Sequence, residues 1–298
     1  MSPGIYKMSA EEYHRLPYLS HSLAKVMIAQ SPLHAWTECA ALNPNYEPEE
    51  KEAFDIGQAT HALLFEGEDR MVVVDAPDWR TKDARTARDE ARKAGKHPIL
   101  AARYPDVLKM RDAAVLAITQ CGQLSGLTLT NGRAEHVLIW EEQGVMCRAR
   151  PDFLAGGERV ALDYKTTTDA TPGAFSRQIA RMGYHIQDEF YSRGIQALFG
   201  HRPKFIFVAQ ETRAPHSCSF HGCGPSLQAV AAQDVDYAVR TWRECLASNH
   251  WPGHDQRIHW AEAMPWQLDE TEDRAARGIP YEPGQLYKGA FAKETDPA

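Results

Sequence analysis

The sequence predicts an α/β protein with a single core: a mixed central β-sheet flanked by helices, preceded by a helical N-terminal region. Three observations predict it. Residues 1 to about 70 carry helix-start signals and helical spacing of apolar residues. Three extended segments then follow closely, at 136–140, 145–149 and 159–165. A helix, a buried strand and a long helix close the core at 172–199, 205–210 and about 226–246. Helices packed on a sheet are one of the few ways such elements bury their apolar faces.

Each element has a local reason. Ser9 can cap Ala10-Glu11-Glu12-Tyr13, with Glu12 at the capping-box position, and Pro17 ends that piece. Ser20 or Ser22 caps a helix through Leu23, Val26, Met27 and Ile28, and Ser31-Pro32 starts a short one through Trp36. Residues 43–52 are polar and contain proline, which predicts a loop. A helix is expected over 54–66, with Phe54, Ala62, Leu63 and Phe65 as its apolar positions. A short strand follows at 71–74. A basic helical insert covers about 80–120, helical or loosely ordered over 80–97 and an amphipathic helix over 105–119. After Trp251-Pro252-Gly253 the chain turns aromatic, then acidic, with Pro and Gly. One domain is therefore expected over 1–265, and a surface-hugging or mobile tail over 266–298.

Composition narrows the class. Hydrophobic residues make up 43% of the 298, enough for a sizeable core. There is no run of eighteen apolar residues and no signal-peptide pattern at the start, so a cytoplasmic protein without a membrane partner is expected. The six cysteines form no CxxC pair, which speaks against a disulfide framework. His216, Cys218, His221 and Cys223 are zinc-type ligands, but their spacing is wrong for a knuckle, and an extended segment is the simpler reading. The net charge of −7 disfavours a polyanionic partner, yet residues 80–111 hold ten Lys/Arg against four Asp/Glu. A polyanion could dock there, although a solvated helix surface explains any one of these residues equally well.

The chemistry concentrates at Arg150-Pro151-Asp152 and Asp163-Tyr164-Lys165. Between them, Ala155-Gly156-Gly157-Glu158 is hairpin-turn material. An even loop would place Arg150 and Asp152 on the face that carries Asp163 and Lys165, whereas an odd loop would turn Asp152 away. Two acids and one base on one face are costly without a compensating cation, so Mg²⁺ is the expected occupant.

Five segments in this order resemble the PD-(D/E)XK nuclease superfamily, and within it the exonuclease VIII (RecE) C-terminal nuclease group. They are Ser20-x-Ser22 with Ser31-Pro32; Gly57-Gln58-Ala59-Thr60-His61 leading into Leu63-Leu64-Phe65-Glu66; Cys147-Arg148-Ala149-Arg150-Pro151-Asp152; Asp163-Tyr164-Lys165-Thr166; and Gln187-x-x-x-Tyr191. Trp251-Pro252-Gly253 is a weaker sixth.

The resemblance implies site roles. Asp152 and Asp163 become metal ligands and catalytic acids, with His61 as a further ligand and Glu135 as a positional match for a fourth. Lys165 meets the scissile phosphate or orients and helps deprotonate the attacking water. Gln187 and Tyr191, four apart on a helix, line the site. Arg148 and Arg150 are candidates for gripping DNA phosphates. Glu66, five positions after His61, falls off that helix face.

The implied activity is Mg²⁺-dependent exonucleolytic hydrolysis, with Mn²⁺ as a substitute, acting 5′→3′ on double-stranded DNA ends. It would leave 3′ single-stranded overhangs for recombination. Members of this group can form homo-oligomeric rings, often work with a single-strand annealing recombinase, and are commonly encoded by phages and prophages. Two other readings are a RecB-like or CRISPR-associated nuclease, for which Cys39, Cys218, Cys223 and Cys245 would have to hold an iron–sulfur cluster, and a non-catalytic DNA-binding module on the same fold.

Overall fold

The structure, a computed structural model, describes residues 1–47 and 56–278. Phe54 and residues 48–52 of the expected 43–52 loop lie outside the described residues. Contacts divide the chain into a unit over Met1–His254 and a second over Asp255–Ala298. Among the described residues no helix is long and apolar enough to cross a membrane.

The N-terminal elements are β1 (Gly4–Tyr6), α1 (Ala10–His14), α2 (His21–Ala29) and α3 (Pro32–Thr37). Their starts follow the expected chemistry. Ser9 and Glu12 close a reciprocal capping box on α1, Ser20 caps α2, and Ser31 with Pro32 opens α3. α4 (Ile56–Phe65) buries Ala59, Ala62, Leu63 and Leu64. β2 (Met71–Val74) pairs in parallel with β3 (His97–Leu100), on either side of α5 (Lys82–Lys93). β3 is a correction to the basic stretch, which was read as helical or loose. Its short His-Pro-Ile-Leu run is hidden among charged neighbours, and Ile99 is its fully buried anchor. α6 (Tyr104–Gln120) follows as expected.

The three expected central strands do not form one sheet. β4 (Gly132–Ala134) is a short addition, and β5 (Val137–Glu142) pairs antiparallel with β6 (Val145–Ala149) and β1. The chain then leaves that sheet at Arg150-Pro151-Asp152. Proline cannot donate to a ladder, so the strand ends there. β7 (Phe153–Ala155) and β8 (Val160–Thr167) belong to a second, five-stranded sheet. Its order is β10-β9-β8-β7-β4, with β9 (Lys204–Glu211) parallel to β8 and β10 (Cys218–His221) antiparallel to β9. Between β8 and β9 the chain forms α7 (Pro172–Met182) and α8 (Tyr184–Phe199), separated by left-handed Gly183. α9 (Pro225–Ser248) completes the first unit. In the second unit, α10 (Pro265–Arg277) replaces the start of the expected tail, and residues 279–298 lie outside the described residues.

The five-stranded sheet has a helical layer on each face. On one side Phe190, Phe205, Phe207, Val239 and Trp242 pack with α2, α8 and α9. On the other, Leu162, Tyr164, Ile206 and Val208 meet Leu64, Ala114 and Ile118 from α4 and α6. Each such fully buried large side chain contributes about 1.5–3 kcal/mol. These two layers hold β8 between α8 and α4.

The tightest approach is at Gly194 in α8, where a Cβ would sit 2.7 Å from the Trp140 ring. Helix propensity alone favours Gly194→Ala by about 1 kcal/mol. Overpacking against a Trp140 that is 1% exposed outweighs it, and the variant is expected to be destabilised by about 1–3 kcal/mol in urea unfolding. A stabilised variant would mean that α8 does not lie this close to β5.

Candidate active site

The site begins with register. Phe153 pairs with Leu162 and Ala155 with Val160, across a four-residue turn containing left-handed Gly156, Gly157 and Glu158. One step beyond the ladder, Asp152 lies opposite Asp163. The even loop is thus the one adopted, and both acids face the same way. Asp152 is fixed by the Tyr164 amide, which donates to its Oδ2 at 2.7 Å.

Two other elements converge on Asp152. The Glu135 amide donates to the Asp152 carbonyl at 3.1 Å, and Glu135 adopts φ +53° at the β4–β5 junction. A non-glycine residue in the left-handed region costs energy and often marks a site. From α4, His61 places Nε2 3.2 Å from Glu135 Oε1 and 3.3 Å from Asp152 Oδ1. The imidazole packs edge-on against Phe65. His61, Glu135 and Asp152 form the one group of three such donors among the described residues that could hold a metal ion, their ligand atoms all within 4.8 Å of one another.

Asp163 is adjacent to this group and lies outside it. It is 1% exposed, pairs with Lys165 through Oδ1, and accepts from Gln187 Nε2 at 2.5 Å through Oδ2. Lys165 Nζ also lies 5.1 Å from the centre of the Tyr184 ring, a cation–π distance. Gln187 and Tyr191 do share a face of α8, but both are buried behind the carboxylates. Tyr191 packs against His21 and Phe205 and bonds to the Arg150 backbone. Their contact is with the residues of the site and not with its opening.

The two arginines separate. Arg150 lines the pocket, with Nε 2.9 Å from Glu135 Oε2. Arg148 is 4% exposed, bonds to the Tyr13 carbonyl and stacks over the Tyr13 ring. The expected phosphate grip at Arg148 is therefore corrected. It shares Arg150's parity, but β1, β5 and α1 cover it, so it is a packed residue of the small sheet.

The opening is a cavity of about 670 Å³ that also includes Gln58, Glu66, His97, Thr166, Gln178 and Tyr184. Glu66 and His97 were not foreseen. Helical periodicity places Glu66 off the His61 face, yet its side chain, just past the last residue of α4, lines the cavity. Its carboxylate meets His97 Nε2 at 3.3 Å and Arg70 Nε at 3.2 Å. The cysteines proposed to hold a cluster are not gathered, since among the described residues Cys39, Cys218, Cys223 and Cys245 form no ligand group.

Electrostatics fit a cation. Burial, reinforced by the charge of Asp152, pushes the Asp163 carboxyl up to about 7 despite Lys165. Burial would lower His61, but Asp152 and Glu135 outweigh it and lift the imidazole to about 10. Burial would raise Asp152, but His61 and Lys165 hold it below the usual carboxylate range. The proton on His61 is compensating two carboxylates, the task a divalent ion performs when it binds such a donor set. Glu135 and Asp152 fit Mg²⁺ through their carboxylate oxygens, and the His61 imidazole suits Mn²⁺ better.

A family of PDDEXK-like domains of unknown function (DUF3799) matches residues 20–262. The chain belongs to this family. The letters of the PDDEXK motif fall on Pro151-Asp152 and Asp163-Tyr164-Lys165, the pair joined by the β7–β8 hairpin. A protein of Eubacterium rectale, described as a candidate exonuclease, has a similar solved structure, with a TM-score of 0.55 and 12% identity over 88% of this chain and 98% of that one. That likeness is one of fold, and it agrees with the mixed α/β architecture of a PDDEXK-like domain. No curated protein matches the sequence.

The Asp163 shift gives a pH prediction for this PDDEXK-like domain. Its folded pKa, near 7, lies above the ordinary value of 3.8. The group's contribution is thus fully present below about pH 4 and is lost as pH rises through 7. A divalent cation offsets the charge that then appears, and it must also displace the His61 proton, so both effects strengthen binding at higher pH. The thermal shift caused by Mn²⁺ is expected to be larger at pH 8 than at pH 6 and to vanish in Asp152→Asn. Equal shifts at both pH values in the wild type would contradict this electrostatic picture.

Proposed function

We propose that this protein is a metal-dependent deoxyribonuclease that digests linear duplex DNA from its ends. The observation that carries the reading is the junction of two groups in one cavity: the His61, Glu135 and Asp152 donors, and the buried Asp163–Lys165 pair beside them.

The residues divide the work. His61, Glu135 and Asp152 would hold the ion. Mg²⁺ or Mn²⁺ bound there supplies Lewis-acid stabilisation for the charge that builds on a phosphate. Lys165 keeps its proton: burial opposes the charge, but Asp163 and Asp152 outweigh it and raise its pKa. A protonated lysine acts as a fixed positive charge toward a phosphate oxygen, which makes the electrostatic role better founded than that of a base. Asp163 aims Lys165, Gln187 aims Asp163, and Tyr184 covers the ammonium. Arg150, which holds Glu135, is the arginine placed to meet a DNA phosphate.

We further propose 5′→3′ polarity, leaving 3′ overhangs for a single-strand annealing recombinase, with a homo-oligomeric ring of subunits enclosing the DNA. This part of the proposal rests on the RecE-like order of motifs, that group being commonly encoded by phages and prophages. The non-catalytic module is the weaker reading, because the acids, the lysine and the donors that orient them are all present.

End-labelled linear duplexes, blunt or recessed and with or without a 5′-phosphate, followed over time in Mg²⁺ and in Mn²⁺, test both levels. Loss of label from 5′ ends ahead of 3′ ends is the expected course. Lys165→Ala is expected to slow hydrolysis by about 10²–10³-fold, with Mn²⁺ affinity retained because Lys165 is outside the donor group. Wild-type protein inert in either metal would remove the nuclease reading, and release from 3′ ends first would remove the polarity alone.

A further inference from the structure

A second cleft, of about 560 Å³, lies on the face of the large sheet covered by α6. Arg103, Asp106 and Lys109 from the start of α6 form one wall, and residues 212–216, between β9 and β10, form the other. Three cations, Arg103, Lys109 and Arg213, line it against one carboxylate, and Lys109 is paired with that Asp106 at 3.3 Å. Arg103 and Arg213 are exposed, and neither has an ion-pair partner among the described residues. In a chain of net charge −7, a concave site with surplus positive charge selects for anions.

The cleft is joined to the candidate active site by a buried polar relay. Tyr164, which lines the site, donates through its hydroxyl to Gln210 Oε1. Gln210 is fully buried, and its amide nitrogen donates to Met110 O at 2.9 Å, in the buried residue that follows Lys109, and to His216 O at 3.1 Å, in a wall of the basic cleft. The Thr212 amide donates to Thr167 O, one residue past Thr166, which lines the site. Thr166 and Gln210 are register partners, so Thr212 lies only about two strand rises, roughly 7 Å, farther along β9.

We infer that this cleft is a second nucleic-acid subsite, which holds the sugar-phosphate backbone of the strand whose end occupies the active site. The inference rests on the nuclease reading and adds a place and residues for the strand beyond the reacting phosphate. Arg103 and Arg213 supply two guanidinium forks suited to phosphate oxygens. The cleft also gives Arg103 and Lys109 of the basic 80–111 stretch a ligand of opposite charge.

The test uses the double variant Arg103→Glu/Arg213→Glu. Binding of a fluorescent single strand of about twenty nucleotides is read by anisotropy in EDTA at several salt concentrations. Hydrolysis of the p-nitrophenyl ester of thymidine 5′-phosphate in Mn²⁺, a substrate too short to span both sites, reads the active site alone. Expected are at least about tenfold weaker strand binding, a salt slope shallower by about 1.4 for two lost phosphate contacts, and small-ester hydrolysis within about twofold of wild type. Unchanged strand affinity and slope would overturn the inference, as would an equal loss of strand binding and small-ester hydrolysis. If the wild type hydrolyses neither substrate yet binds the strand through these arginines, the cleft stands and the nuclease reading falls.

Discussion

Two carboxylates opposed across a three-residue ladder set the terms for the rest of this structure. Asp152 and Asp163 follow from the β7–β8 register, and side chains at opposed positions sit about 5 Å apart. Two like charges at that spacing repel by about 3 kcal/mol at an effective dielectric of about 20. Burial adds to the cost, so the neighbours must compensate. The Tyr164 amide and His61 serve Asp152, while Gln187 and Lys165 serve Asp163. The two acids are thereby made unequal, one held ionised and one pushed toward protonation. Such a difference between paired groups is a common property of catalytic sites.

The fold explains how the compensating groups arrive. The break at Pro151 lets the chain leave the small sheet and enter the large one, so Arg150 and Asp152 stand where the two sheets part. α4 brings His61 to one side of β8 and α8 brings Gln187 to the other. Both helices are held by continuous apolar packing on the sheet. The polar groups at the carboxylates are therefore positioned by hydrophobic contacts elsewhere, which is how a fold keeps a costly charge cluster in place.

Much of this was legible in the sequence where one local rule dominates. The serine caps, the hairpin glycines and the alternation of Leu162 and Tyr164 with Asp163 and Lys165 each carry their own geometry. What was not legible depends on distant partners. β3 exists because Ile99 finds a buried seat beside β2, which its charged surroundings do not announce. Glu66 lines the cavity beside His97, a partner from β3, 31 positions away in the sequence. Arg148 and Arg150 have the same parity on their strand and both lie over the Tyr13 ring, but Arg148 is buried on the Tyr13 carbonyl while Arg150 pairs with Glu135 at the opening. The contacts of Asp163 with Gln187 and Lys165, one at each of its oxygens, likewise depend on partners that no local pattern announces.

The proposed division into a cation-holding trio and a neighbouring acid–lysine pair is tested most directly by locating the ion. Crystals of the protein grown with Mn²⁺, measured at the manganese absorption edge, are predicted to show one anomalous peak in contact with His61 Nε2 and the carboxylates of Glu135 and Asp152. A well-ordered peak elsewhere, or none at saturating Mn²⁺ with these three side chains ordered, would contradict it.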